Sequence, residues 1–345
     1  NRYGTYAVGL GMLILTGWLQ TRGYLNWATN WHLWSVLAWS DLDRLEFLRP
    51  SIVANRLFVL YTAGICILGA ITLYPRRIRD VQRTVDAMQP ARVGKKILRW
   101  SPLLIIWLVA GGWIWIDARN GYQGSVIERM GRDYWKRNEL TFRDVAVPKI
   151  DSLDADVAIF PETRRLEVNG TYVLSNQQEK SITQIPLTPG AHFENLNWTL
   201  NGVAIEPKKD DPDPAPPSVE NRAGLWVFTL DKPLAKNETV TIGFSWDGFF
   251  PKGWTMNGGG AGEFVLPSGV VLTSFSPSIV PNIGYVEGAG VDGRNETDPK
   301  DPDPDAWKGV NDPAFGSAWG SDVTMRVTGP ATWQLNACGV PIDEK

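Results

Sequence analysis

The chain has 345 residues, 21% of them charged, and a formal net charge of −3. That length accommodates two domains at about 100–200 residues each, and a near-neutral balance gives no electrostatic footing for nucleic-acid binding. The average hides two unlike halves: ten of the 17 Trp lie in residues 1–135, beside three long uncharged runs, whereas the acidic, Pro-rich stretches all follow residue 200.

The uncharged runs are residues 3–21, 57–74 and 100–116. A helix crosses a bilayer with about 20 mainly apolar residues, so each run predicts a span. Trp18, Trp100, Trp113 and Trp115 sit near run ends, where amphipathic rings favour the lipid–water interface. No small-residue cleavage site follows the first run, which reads as a span and not as a signal peptide. Eight Lys or Arg in residues 75–99 exceed the four in residues 22–56. Basic loops stay on the cytoplasmic side. The loop 75–99 is therefore expected inside, and residues 22–56 with everything after 117 outside. In a bacterium this means the cytoplasmic membrane, with the rest of the chain periplasmic or extracytoplasmic.

In residues 22–56, Trp27, Trp31 and Trp34 recur at helical spacing and Ala38 continues the stripe. This predicts a helix with its rings in lipid or against neighbouring helices. His32 beside it reads as structural. Residues 118–150 read as a stalk, with a helix over 125–140 opened by a Ser125–Glu128 capping box and carrying Val126, Met130 and Tyr134 on one face.

From Asp156 the period becomes two. Leu166, Val168, Tyr172 and Leu174 alternate with Glu167, Asn169, Thr171 and Ser175. Leu196, Trp198 and Leu200 lead into Asn201-Gly202, a hairpin-turn pair, and then Val203 and Ile205. Val240, Ile242, Phe244 and Trp246 alternate again, as do Val323, Met325 and Val327. One-faced strands between Gly, Pro and Asn turns predict a mostly antiparallel all-β domain over 151–345, a sandwich or saddle. Residues 208–219 and 292–305 read as solvated loops, because proline and like charges oppose a central strand. Asp301, Asp303 and Asp305 lack the Gly and distal Glu of a helix–loop–helix calcium site. Residues 257–262, NGGGAG, do not have phosphate-loop spacing. Glycosylation sequons start at Asn169, Asn197, Asn237 and Asn295.

Chemistry is sparse. The only histidines are His32 and His192, so the H-E-x-x-H pair of a zinc peptidase is absent, as are the P-loop and the G-x-S-x-G elbow. A Ser–His–Asp site would have to use His192. Cys66 and Cys338 lie on dissimilar segments and imply no disulfide framework. No catalytic, cofactor-binding or metal residue is assigned, and the chain alone is not expected to be an enzyme.

Residues 154–190 run DADVAIFPETRRLEVNGTYVLSNQQEKSITQIPLTPG. This resembles the opening of the N-terminal β-domain of the aminopeptidase N family of zinc aminopeptidases: a strand, a Pro-bearing turn, a strand near L-x-V-x-G-x-Y-x-L-x-N, then I-x-x-I-x-L. Residues 274–288, SFSPSIVPNIGYVEG, and 322–339, DVTMRVTGPATWQLNACG, resemble later parts of that domain. Upstream, YLNWATNWHLWSVLAWSDLD, the run from Leu57 and PRRIRD resemble the end of bacterial ABC-transporter permeases fused to such a peptidase. The resemblance implies the end of a permease, a stalk and the first domain of a peptidase module. The zinc and substrate motifs would then lie beyond Lys345. The implied partners are the bilayer, an ABC-type ATP-binding subunit and the downstream peptidase domain. Two other readings stay open: a transport component whose exported domain binds a substrate or partner, and a structural anchor with an adhesion-like sandwich.

Overall fold

The computed structural model describes residues 2–22, 24–33, 46–73, 90–121, 126, 145–190, 192–210, 225–251, 253–255, 263–272, 275–284, 320–337 and 339–342. It divides into two compact units. One comprises Asn1–Arg129 with Pro216–Val219 and Lys252–Ala261; the other comprises Met130–Ala215, Glu220–Pro251 and Gly262–Lys345.

Among the described residues the first unit has the helices α1 (Arg2–Thr21), α2 (Arg49–Leu73) and α3 (Pro90–Asn120). Two of them contain stretches long and apolar enough to cross a membrane, Arg49–Ile71 and Trp100–Asn120. In α1 the apolar stretch, Tyr6–Thr21, is shorter. Only 6% and 11% of the two longer stretches is buried. A core helix of a soluble fold would hide its apolar side chains; here Leu60, Ile71, Ile105 and Val109 lie open, which suits a lipid environment. Both helices begin earlier than their uncharged runs. Residues 90–99 of the expected basic loop are helical, since Lys and Arg are good helix formers and Pro90 suits a first turn. The rest of that loop, 74–89, lies outside the described residues.

Between α2 and α3, Phe58 stacks on Trp107 at 5.7 Å, and Trp107 Nε1 donates to Thr62 Oγ1 at 2.8 Å. Gly111 admits the Phe58 ring, which a Cβ there would meet at 2.9 Å. Pro102 lacks the N–H that would serve the Leu98 carbonyl; the Ser101 hydroxyl donates to it instead, at 2.8 Å.

The tryptophan stripe is not helical where it is described. Residues 27–29 and 31–32 form turns because side chains compete for the backbone. Asn26 Oδ1 accepts the Ala28 N–H at 2.8 Å, and Thr29 Oγ1 accepts the Asn26 N–H at 2.9 Å. Trp27 is fully buried, its Nε1 donating to Thr255 O at 2.7 Å. Trp31 is partly exposed and donates to Thr16 Oγ1 at 3.2 Å. Asn55 of α2 donates to the carbonyls of Trp27 and Asn30, at 2.6 and 3.0 Å. Trp34 and Ala38 lie outside the described residues, as does the expected helix 125–140 apart from Val126.

The second unit is a β-sandwich. A six-stranded sheet has the order β12-β1-β2-β8-β4-β5, built from β1 (Lys149–Phe160), β2 (Arg165–Ser175), β4 (Glu194–Leu200), β5 (Val203–Ile205), β8 (Thr239–Phe249) and β12 (Asp322–Thr328). A four-stranded sheet has the order β11-β3-β7-β6, from β3 (Ile182–Thr188), β6 (Lys208–Asp210), β7 (Leu225–Leu234) and β11 (Asn282–Ile283). A hairpin, β9 (Phe264–Leu266) and β10 (Gly269–Val271), stands apart. Pairing is antiparallel except for β1 with β12.

One apolar core joins the two sheets, with Leu166, Val168, Tyr172, Ile242 and Trp246 of the first against Ile185, Leu187 and Phe228 of the second. The expected hairpin is present: Asn201 and Gly202 take φ of 49° and 80° between paired Leu200 and Val203. Two details depart from the alternation and one segment from its expected loop. Ser175 is buried instead of facing water, and Val323 is exposed while Met325 and Val327 pack on the core. Lys208–Asp210 is an edge strand on β7, not a loop; lysines guard such an edge against further pairing. Residues 211–219 lie outside the described residues.

Segment 275–284 is tied under the core by the polar tips of its large side chains. The Tyr172 hydroxyl donates to Pro281 O at 2.7 Å, and Trp246 Nε1 donates to Ile279 O at 3.0 Å. Burial pushes the Tyr172 hydroxyl well above its usual pKa. The folded state thus keeps this proton after the unfolded chain, with an ordinary tyrosine near 10, has begun to lose it. Stability from Tyr172 is whole below about pH 10 and falls above it, by up to about 1.4 kcal/mol per pH unit. Tyr172→Phe is expected to flatten the difference in slope between pH 10 and 11.5 in urea titrations, while losing about 1 kcal/mol at neutral pH with the hydrogen bond.

Candidate functional site

The outward residues of the six-stranded sheet are set by its register. Two rows cross five strands. The first is Arg326, Asp156, Asn169, Ser245 and Asn197; the second is Thr324, Asp154, Thr171, Gly243 and Thr199. Their inward neighbours, such as Ala155, Val168, Ile242 and Trp198, are buried. The period of two therefore separates the faces cleanly along these strands. A depression of about 420 Å³ lies over the rows, with Gly243 buried on its floor and Asn169, Thr171 and Asn197 exposed on its flanks.

At one edge, Arg326 Nε donates to Asp156 Oδ1 at 2.5 Å and Arg326 Nη2 to Asp154 Oδ1 at 2.6 Å. The bond to Asp156, with the charges of Asp154 and Asp156, raises the guanidinium above its already high pKa. Both carboxylates are thereby occupied. Further along the face, Asp247 accepts from Arg165 and, at 2.7 Å, from Asn195 Nδ2. Among the described residues no group of three or more His, Cys, Asp or Glu is placed to hold a metal.

His192 has a positional role. Its ring lies 4.2 Å from that of Phe250 and 5.2 Å from that of Trp246, and Nε2 is 2.8 Å from Ser278 O. A carbonyl only accepts, so Nε2 carries the proton. The Ser278 hydroxyl donates elsewhere, to Glu263 Oε2 at 2.8 Å. His32 sits edge-on to Trp31 at 5.0 Å. Asn169, an outward strand position and a sequon in the sequence, and Asn197, noted there only as a sequon, belong to the groove, and Asn237 lies in a turn with φ of 64°. Asn295, residues 257–262, Asp301, Asp303, Asp305 and Cys338 lie outside the described residues; Cys66 is exposed on α2. The groove was missed because its residues come from five separated strands. The one signal was the run of short polar side chains at outward positions.

No family model and no curated protein matches the sequence. Solved structures with partial similarity include an M1 zinc metallopeptidase from Deinococcus radiodurans, at 15% identity and TM-score 0.23, over 30% of this chain and 21% of that one. Native leukotriene A4 hydrolase from Saccharomyces cerevisiae aligns at 10% identity and TM-score 0.23, over 29% of this chain and 15% of that one. The chain thus spans about a fifth or less of their lengths. A likeness of that extent assigns neither family nor activity.

Proposed function

We propose that the chain is the membrane-anchored scaffold region of an ABC-type permease fused to a zinc aminopeptidase, its β-domain supporting a downstream metallopeptidase domain. One observation carries this: helices of membrane length with open apolar sides share a chain with a sandwich whose opening strands follow the order that the sequence resemblance implies. That order is β1, a turn at Pro161–Thr163, β2 and β3. The permease part rests on the sequence resemblance alone. In this reading α1 is a third span, the β-domain lies on the periplasmic or extracytoplasmic face, zinc belongs to the downstream domain, and an ATP-binding subunit is a separate chain.

The test is the open reading frame past Lys345. An H-E-x-x-H followed by a further Glu is expected, with zinc-dependent aminopeptidase activity in the purified parent. A stop codon, or a following domain without that motif, removes the peptidase reading. The second reading, a transport component whose exported domain binds a substrate or partner, then takes its place; the open groove on the sheet favours it. Protease added to intact spheroplasts is expected to digest the β-domain, and protection would reverse the proposed sidedness.

A further inference from the structure

The outer face of the six-stranded sheet is distinguished by short polar side chains. Across five strands the only long side chain in the two rows is Arg326, and it bonds Asp154 and Asp156. The middle of the face carries Asn169, Thr171, Ser245, Thr199 and Gly243, with no Lys, Glu or Gln in these two rows; Glu167 and Asp247 stand in the row beside them. Among the described residues nothing bonds the side chains of Asn169, Thr171, Thr199 or Ser245. Their donors and acceptors are available, and side chains this short lose little rotamer freedom when a ligand fixes them.

The chemistry of the lining selects its occupant. The depression, about 420 Å³, falls in the range of small-ligand sites, about 300–1,000 Å³; its two aromatic lining residues, Trp198 and Phe244, are buried and offer little of either ring to a ligand. A protein partner would need aromatic or aliphatic side chains at the centre of its footprint. Nucleic acid would need a basic face, whereas two carboxylates and one guanidinium leave this lining with one net negative charge. Hydroxyl and amide groups repeated across strands about 4.8 Å apart suit a ligand that both donates and accepts at regular intervals. We propose that this groove binds a neutral polyhydroxylated chain, an oligosaccharide, laid across β1, β2, β8 and β4. The inference is independent of any peptidase domain.

The test uses the full chain in a detergent without a sugar headgroup, titrated calorimetrically with cellotetraose, maltotetraose and chitotetraose. At least one should bind saturably, and Asn169→Ala with Asn197→Ala should weaken it tenfold or more. The unfolding midpoint should fall by about 2–4 °C at most, because both side chains are exposed and only the bond from Asn197 Nδ2 to Asn195 O is lost. Lys232→Ala, on β7 of the other sheet, should titrate as the parent chain does. No saturable binding by any of the three sugars overturns the proposal, as does a double variant that binds like the parent. If a Gly-Ser decapeptide binds in their place and is sensitive to the same double variant, the face docks polypeptide and the sugar reading falls.

Discussion

Phe228→Ala is expected to destabilise the β-domain by about 3–5 kcal/mol, the range for truncating a fully buried phenylalanine. Phe228 has no exposed surface. It stands on β7 opposite Ile185 of β3, and its ring meets Trp198 of the other sheet edge-to-face at 5.3 Å. The side chain therefore bridges the two sheets, and truncation removes contacts on both sides of a space that neither sheet can close alone. Domains of this size lose about 2–4 °C of midpoint per kcal/mol. Thermal unfolding of the full chain in micelles, followed by tryptophan fluorescence, reads the effect. A shift of only a degree or two would mean that the sheets are not packed through this residue.

Leu60→Lys and Val109→Lys test the membrane assignment. Both residues are exposed near the middle of the apolar stretches of α2 and α3. On the insertion scale a lysine at a helix centre costs about 2.5–3.5 kcal/mol in place of an apolar residue's gain. The double variant should leave membranes on alkaline carbonate extraction or fail to accumulate, whereas Val203→Lys, exposed on the β4–β5 hairpin, should behave as the parent chain. If the double variant stays membrane-bound at parent levels, α2 and α3 do not cross lipid as independent spans.

What the sequence made legible followed from local rules. Asn201-Gly202 announced its hairpin because both residues tolerate positive φ, and Leu166 to Leu174 announced an inner face because the strand period is fixed. The apolar runs announced helices because length and charge alone set that requirement. Features decided by partners distant in sequence were not legible. Trp27 lost its helix to the hydrogen bonds of Asn26 and Thr29, and its ring is held by the carbonyl of Thr255, 228 residues away. Lys208–Asp210 became a strand because β7 offered an edge. The groove required the register of five strands, which no single segment encodes.

The parallel pairing of β1 with β12 has a consequence for the order of synthesis. Asp156 lies opposite Arg326, 170 residues later. As the ribosome delivers the chain, β2 can cover one side of β1 at once, but the other side stays an open edge until residue 328 has emerged. An open edge invites pairing with another chain, and contacts of such long separation form late. The nascent domain thus passes through a long interval in which its first strand can be captured by a neighbour. Chain terminations within that interval should aggregate more readily than terminations just after Thr328.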